Sequence, residues 1–190
     1  MNKIISLLLI FFSIFYSCVD SNLPKQSAFL RIEFPEPNYI APNEIKLPID
    51  FYYNLSAADI NVTNSKQLSL NYPNMKMSLD LFLKKMIETN DLENNFRDFF
   101  LILETHSKKS NGIFVKEYED VNNSVYAKIF ELRGDVASPI QFYLTDSTSN
   151  FIHGSLNLKF KPKYDSIYPT IQYVKNDILV LVESLNWNIK

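Results

Sequence analysis

Residues 75–84 alternate without a break. Met75, Met77, Leu79, Leu81 and Leu83 are separated by Lys76, Ser78, Asp80, Phe82 and Lys84. A period of two predicts a strand with one buried face. Residues 140–144 and 151–160 are rich in Ile, Phe, Tyr and Leu, and the Asp, Ser, Thr and Asn of 145–150 between them favour a turn. That pattern predicts an antiparallel hairpin. In its second arm Ile152, Gly154, Leu156, Leu158 and Phe160 share a dry face. Phe151, His153, Ser155, Asn157 and Lys159 share a wet one. Further strands are expected at 29–34, 49–53, 67–71, 113–118 and 125–133, and 54–66 reads as polar loop. Pro35, Pro37, Pro42 and Pro48 forbid regular structure between the first two.

The period changes over 90–110. Leu92, Phe96, Phe99, Phe100 and Leu103 form a helical stripe, Asn90 with Glu93 resembles a capping box, and Asn111-Gly112 is the expected stop. A closing helix is predicted over 169–186. Ile167, Ile171, Val174, Ile178, Leu181 and Leu185 make its apolar seam, and Pro169 sits near its first turn. This order predicts a single α+β domain, an antiparallel sheet with two main helices packed on it. At the level of element order it is similar to the PsbP/Mog1-like fold, a family of non-catalytic accessory proteins.

The N-terminus reads as an address. Lys3 is followed by a nearly uninterrupted apolar run to Tyr16, then Ser17 and the sole cysteine, Cys18. The run is shorter than the roughly 20 residues a spanning helix requires, so it reads as a signal h-region. A small residue before a cysteine at its end is the arrangement of a bacterial lipoprotein signal. The alternative is a general secretory signal with an incidental thiol. The first reading divides the chain into a signal (1–17), a lipidated tether (18–28) and one domain (29–190), held on a membrane rather than across it.

At 190 residues, one domain with a substantial core is expected. A formal net charge of −2 argues against a nucleic-acid partner, and three glycines leave no phosphate cradle. Ser147, His153 and Asp146 or Asp165 do not compose a hydrolase triad, since the nucleophile elbow G-x-S-x-G is absent. His153 and His106 are far apart in sequence with no cysteine near either, so neither a metal nor another cofactor is expected. His106 reads as a boundary residue beside the helical stripe. No catalytic residue is assigned and no enzyme is expected.

Three stretches carry a family resemblance: QFYLTDSTSNF from Gln141, KPKYDSIYP from Lys161 and DILVLVESLNW from Asp177. With PKQSAFLRIEFP (24–35), Tyr72-Pro73 and His106, they resemble the gliding motility-associated lipoprotein GldD of Bacteroidetes. Gln26-Ser27-Ala28 and His153 depart from the basic character expected of that family at those places. The resemblance implies a non-catalytic envelope lipoprotein, anchored through Cys18, facing the periplasm and working with other gliding and type IX secretion proteins. A periplasmic binding or chaperone-like module is the alternative. Asp146-Ser147-Thr148 and Asp165-Ser166-Ile167 resemble O-glycosylation acceptors of exported Bacteroidetes proteins, making Ser147 and Ser166 candidate sites beside their plain reading as turn and helix-start residues. Arg31 and Phe82, on the polar faces of their strands, are the candidates for partner docking. A solvated edge at Arg31 and a helix covering Phe82 are the alternatives.

Overall fold

The computed structural model describes residues 32–42 and 47–187. In chain order the elements are β1 (Tyr39–Ile40), β2 (Ile49–Asp50), β3 (Tyr53–Asn54), β4 (Asp59–Asn64), β5 (Gln67–Tyr72) and β6 (Met77–Lys85). Then come α1 (Asp91–Ser107), β7 (Gly112–Asp120), β8 (Val125–Arg133), β9 (Ile140–Thr145), β10 (Asn150–Leu158), α2 (Tyr164–Glu183) and β11 (Asn186–Trp187). Seven strands form one antiparallel sheet in the order β4-β5-β6-β10-β9-β8-β7, and two small pairs, β1-β3 and β11-β2, flank it. The fold is α+β, as the alternating periods predict.

The two helices lie on opposite faces of the sheet. Ile152 and Leu156 of β10 join Leu79 and Leu81 of β6, Phe142 of β9, and Ile171, Val174, Ile178 and Leu181 of α2 in the main core. Phe151, of opposite parity on β10, joins Phe130 and Leu132 of β8 and Phe99 and Leu103 of α1 in a second core. The supposed wet face of β10 is therefore covered by α1 at its Phe151 end and stays polar from Ser155 on. Phe151 is 1% exposed and Ser155 7%. Alternation reports which residues share a face, not whether a distant helix covers it.

Gly154 sits in the middle of β10, opposite Phe142. The Phe142 ring crosses the space above it, so that a Cβ at this position would lie 2.1 Å from the ring. Large and small residues thus interlock at the centre of the sheet.

Several boundaries differ from expectation. Ile32–Phe34 is not a strand; the rest of the expected 29–34 strand lies outside the described residues. Phe34 stacks on Tyr173 of α2 with ring centroids 4.6 Å apart, and Pro35 follows, so the segment lies against a helix rather than a ladder. The supposed loop 54–66 contains β4, whose Ile60 and Val62 alone turn toward the core. Pro73–Met75 is one 3-10 turn, with Lys76 in the left-handed region, so β6 begins at Met77.

Asn90 makes no side-chain cap. Asp91 instead accepts the backbone N–H groups of Ile87 and Glu88 at 2.7 and 2.9 Å. Gly112 opens β7 rather than stopping α1. α2 begins at Tyr164, five residues before Pro169, and its first N–H donates to Asp135 at 2.9 Å. Pro169 is therefore inside the helix, where its missing N–H leaves the Asp165 carbonyl without its usual donor.

Gly154→Ala is expected to destabilise the domain by about 2 kcal/mol or more, because the added methyl overlaps a fully buried ring. Urea denaturation measures the effect. Combining it with Phe142→Leu, which clears that ring, should recover part of the loss, a non-additivity that marks direct contact.

Candidate docking surface

α1 covers only part of its face of the sheet. It packs over Phe130, Tyr143 and Phe151, with Phe96 and Phe99 forming edge-on ring contacts to Tyr143 at 5.0 and 5.2 Å. Beyond its flank, β5, β6 and β10 present polar side chains in register: Ser69 opposite Asp80, and Asp80 opposite Ser155. Asp80 accepts from Ser69 Oγ at 2.5 Å, from Asn157 Nδ2 at 2.8 Å and from Ser78 Oγ at 3.3 Å. Lys159 Nζ donates to Asn71 Oδ1 at 3.0 Å along the same face.

Phe82 and His153 are directly opposite residues on β6 and β10, at the line where the helix-covered area meets this polar surface. Their ring centroids are 6.0 Å apart, and Phe82 keeps 37% of its surface exposed. The helix leaves it open. Lys84 pairs with Asp98 of α1 at 3.4 Å beside it. His153 stands edge-on to Phe99 at 5.3 Å, and its Nε2–H donates to Gln141 Oε1 at 3.1 Å. Burial, reinforced by Lys84 and His106, lowers the His153 pKa to about 4. The ring is a neutral donor at neutral pH. His106, half-buried in the last turn of α1, is also lowered by burial.

Ser147 occupies the exposed apex of the β9–β10 turn at φ 65°. The turn is built on Asp146, whose Oδ1 accepts the backbone N–H groups of Thr148, Ser149 and Asn150 at 2.9, 2.7 and 2.8 Å. Burial works to raise the Asp146 pKa, but these bonds and the Asn150 side-chain amide outweigh it and hold the carboxyl below its usual value. No hydrogen bond links Ser147, His153 and either aspartate among the described residues. Ser166 is exposed in the first turn of α2 and borders a groove with Phe34, Met75 and Phe160. It lies on the α2 side of the sheet, away from Phe82. Cys18 and Arg31 fall outside the described residues.

The arm entering the domain is fastened to α2. Tyr39 Oη donates to Asp177 Oδ1 at 2.8 Å, and Tyr173 Oη donates to the Pro35 carbonyl at 2.8 Å. Asn54 Nδ2 donates to Tyr173 Oη at 2.9 Å and to Asp177 at 3.2 and 3.3 Å. Asp177 is 3% exposed. Desolvation raises its pKa, while the bonds from Tyr39 and Asn54 pull the other way. The Tyr72 hydroxyl lies in the field of this carboxylate without meeting normal hydrogen-bond geometry, and it is the orphan among the described buried side-chain atoms. The sequence reading missed this cluster and the Asp80 network alike. Each gathers residues from distant elements, and only the polar parity of β6 and β10 hinted at the second.

Among the described residues no helix is long and apolar enough to cross a membrane, and no three His, Cys, Asp or Glu side chains are grouped to hold a metal ion. The family model described as "Gliding motility lipoprotein GldD" matches residues 19–187, and the chain belongs to that family. No curated protein matches the chain.

The His153 environment makes stability pH-dependent. Unfolded, the imidazole binds a proton below about pH 6.5; folded, it does so only near pH 4. Its contribution is constant above pH 6.5, and stability falls as pH drops from there toward 4, by about 2 kcal/mol after allowance for partial exposure. Asp177 acts with opposite sign, because its raised pKa favours the fold at low pH and loses that effect as pH rises. Comparing His153→Gln with wild type isolates the first effect. Urea midpoints of the variant should fall less steeply between pH 6.5 and 4, while matching slopes would show that the ring is not held neutral.

Proposed function

We propose that this gliding motility lipoprotein is a non-catalytic subunit of the gliding and type IX secretion apparatus. In this reading it is lipid-anchored through Cys18, faces the periplasm and docks neighbouring subunits through the Phe82 surface. The observation that carries the proposal is the fastening of the Phe34–Tyr39 arm to α2. A chain tethered at its N-terminus transmits its anchor to the domain only if the arm is fixed to the core. Here two hydroxyl bonds and a ring stack fix it. Lipid anchoring then concentrates the docking surface at a membrane and raises the effective concentration of any partner held there. The partners are other gliding and type IX secretion proteins. Arg31, on the membrane side of the same arm in sequence, is a second docking candidate.

Two features of the Phe82 surface suit binding. A partly exposed aromatic ring beside a network of amide, hydroxyl and carboxylate groups supplies an apolar anchor with polar surroundings, the composition of a protein-binding hot spot. Asp80 and His153 on this surface are each engaged by neutral neighbours, Ser69, Ser78 and Asn157 on the carboxylate and Gln141 on the ring. Ser147 and Ser166 are proposed as glycan acceptors, supported by the exposure of both. An intact-mass spectrum of the native protein should show hexose-sized increments beyond the lipid, and their absence would remove that assignment.

Deletion of the gene in the native bacterium should abolish colony spreading and secretion of a type IX cargo. Wild type should restore both. Cys18→Ala should restore neither, and Phe82→Lys should accumulate as folded protein yet fail to complement. Full complementation by Cys18→Ala would sink the anchoring role. Intact motility and secretion in the deletion strain would shift the reading to a periplasmic binding or chaperone-like module.

A further inference from the structure

The two edges of the main sheet are built differently. β4 is six residues long, carries Asp59, Asn61, Thr63 and Asn64, and has a register irregularity between Val62 and Asn64. Short, polar and irregular edges resist pairing with another chain. β7, the opposite edge, is nine residues long, pairs with β8 in unbroken register and contains no proline. Ile113, Phe114 and Val115 are consecutive and 43%, 50% and 52% exposed. The apolar end of this edge is not blunted, while Lys116, Glu117, Glu119 and Asp120 charge the other half.

Its side chains sort by face. Ile113, Val115, Glu117 and Glu119 lie opposite Leu132, Phe130, Lys128 and Tyr126, which places all four on the α1 side. Phe100 of α1, 46% exposed, reaches to within 6.0 Å of the Phe130 ring, so Phe100, Val115 and Ile113 border one apolar ledge. Farther along the same face the strand turns acidic. Glu117 pairs with Lys128 at 2.7 Å yet remains 70% exposed, and Glu119 has no ion pair among the described residues. On the other face the Arg133 guanidinium lies 3.7 Å from the Phe114 ring centroid and shields it.

We propose that β7 accepts an extended segment of another protein as an added antiparallel strand. On the α1 side, read from N- to C-terminus, that segment presents two basic residues and then two β-branched apolar residues, all at alternate positions. The basic pair faces Glu119 and Glu117, and the apolar pair faces Val115 and Ile113 beside Phe100. Main-chain hydrogen bonds supply affinity and the alternate side chains supply specificity. A second copy of this chain fits less well. A two-fold pairing over the whole edge sets Lys116 against Lys116, Val115 against Glu117 and Ile113 against Glu119. Registers that match apolar to apolar residues leave the acidic half unpaired. The inference goes beyond the proposed gliding role and does not rest on it.

The test uses the detergent-solubilised full chain and the synthetic peptide Lys-Thr-Lys-Thr-Ile-Thr-Val-Thr. Binding should protect amides of β7, and not of β4, from hydrogen exchange. Val115→Lys should weaken binding by about tenfold or more, the loss of a 1.4 kcal/mol contact. Glu119→Lys should weaken it too, and a peptide with Glu in place of its first Lys should recover affinity for that variant while binding wild type poorly. Such an exchange tests register, since a merely structural role for Glu119 would not move with the peptide. Absence of protection at β7, or equal binding of the reversed peptide Thr-Val-Thr-Ile-Thr-Lys-Thr-Lys, would overturn the proposal. So would a dimer in sedimentation that Val115→Lys converts to monomer, because the occupant would then be a second copy.

Discussion

A carboxylate almost out of contact with water holds the ends of this domain together. Asp177 projects from α2 into a site that draws hydroxyls and an amide from β1, β3 and β5. Burying an ionised group costs several kcal/mol unless donors replace the lost water, and the raised pKa shows that they replace it incompletely. The arrangement is therefore weak as a source of net stability. Its consequence is geometric. Two apolar surfaces can slide over one another at little cost, whereas Tyr39, Asn54 and Tyr173 satisfy their bonds in one placement of the arm on the helix. The clamp fixes how the Phe34–Tyr39 arm lies on α2.

With α2 sealing one face and α1 part of the other, exposure is confined to particular places. The uncovered portion of the α1 face is polar and internally bonded around Asp80, with Phe82 at its margin. The β7 edge is apolar at one end and acidic at the other. These surfaces differ in the recognition they support. A side-chain surface discriminates by shape and polarity, while an open edge also offers backbone donors and acceptors to any chain that can extend beside it.

Much of this plan was legible in the sequence because both main periods are clean. The alternation of β6, the turn between β9 and β10, and the α2 seam from Ile171 to Leu181 each survive in the structure, although the helix runs Tyr164–Glu183 rather than 169–186. Elements that depend on a remote partner were not legible. β4 shows only Ile60 and Val62 to the core, since an edge strand needs little apolar surface. α2 starts at Tyr164 because Asp135, from the loop after β8, meets its first N–H. Conversely, Phe29–Phe34 alternates like a strand, yet its described part lies against α2. The site divides in the same way. Phe82 was legible as an aromatic out of phase with its strand, but its neighbour Asp80 gained meaning only once register set it between Ser69 and Ser155.

The state of the polar groups bears on what kind of work the molecule does. Acid–base and nucleophilic catalysis need a group held near its working pKa with an open coordination to substrate. Asp80 already accepts three hydrogen bonds, Asp146 is consumed by its turn, and His153 is kept neutral between Phe99 and Gln141. These hydrogen bonds tie the strands and the β9–β10 turn to one another. Satisfied in this way, the groups form a rigid surface that loses little freedom when a partner settles on it, and low reorganisation cost is what binding rewards.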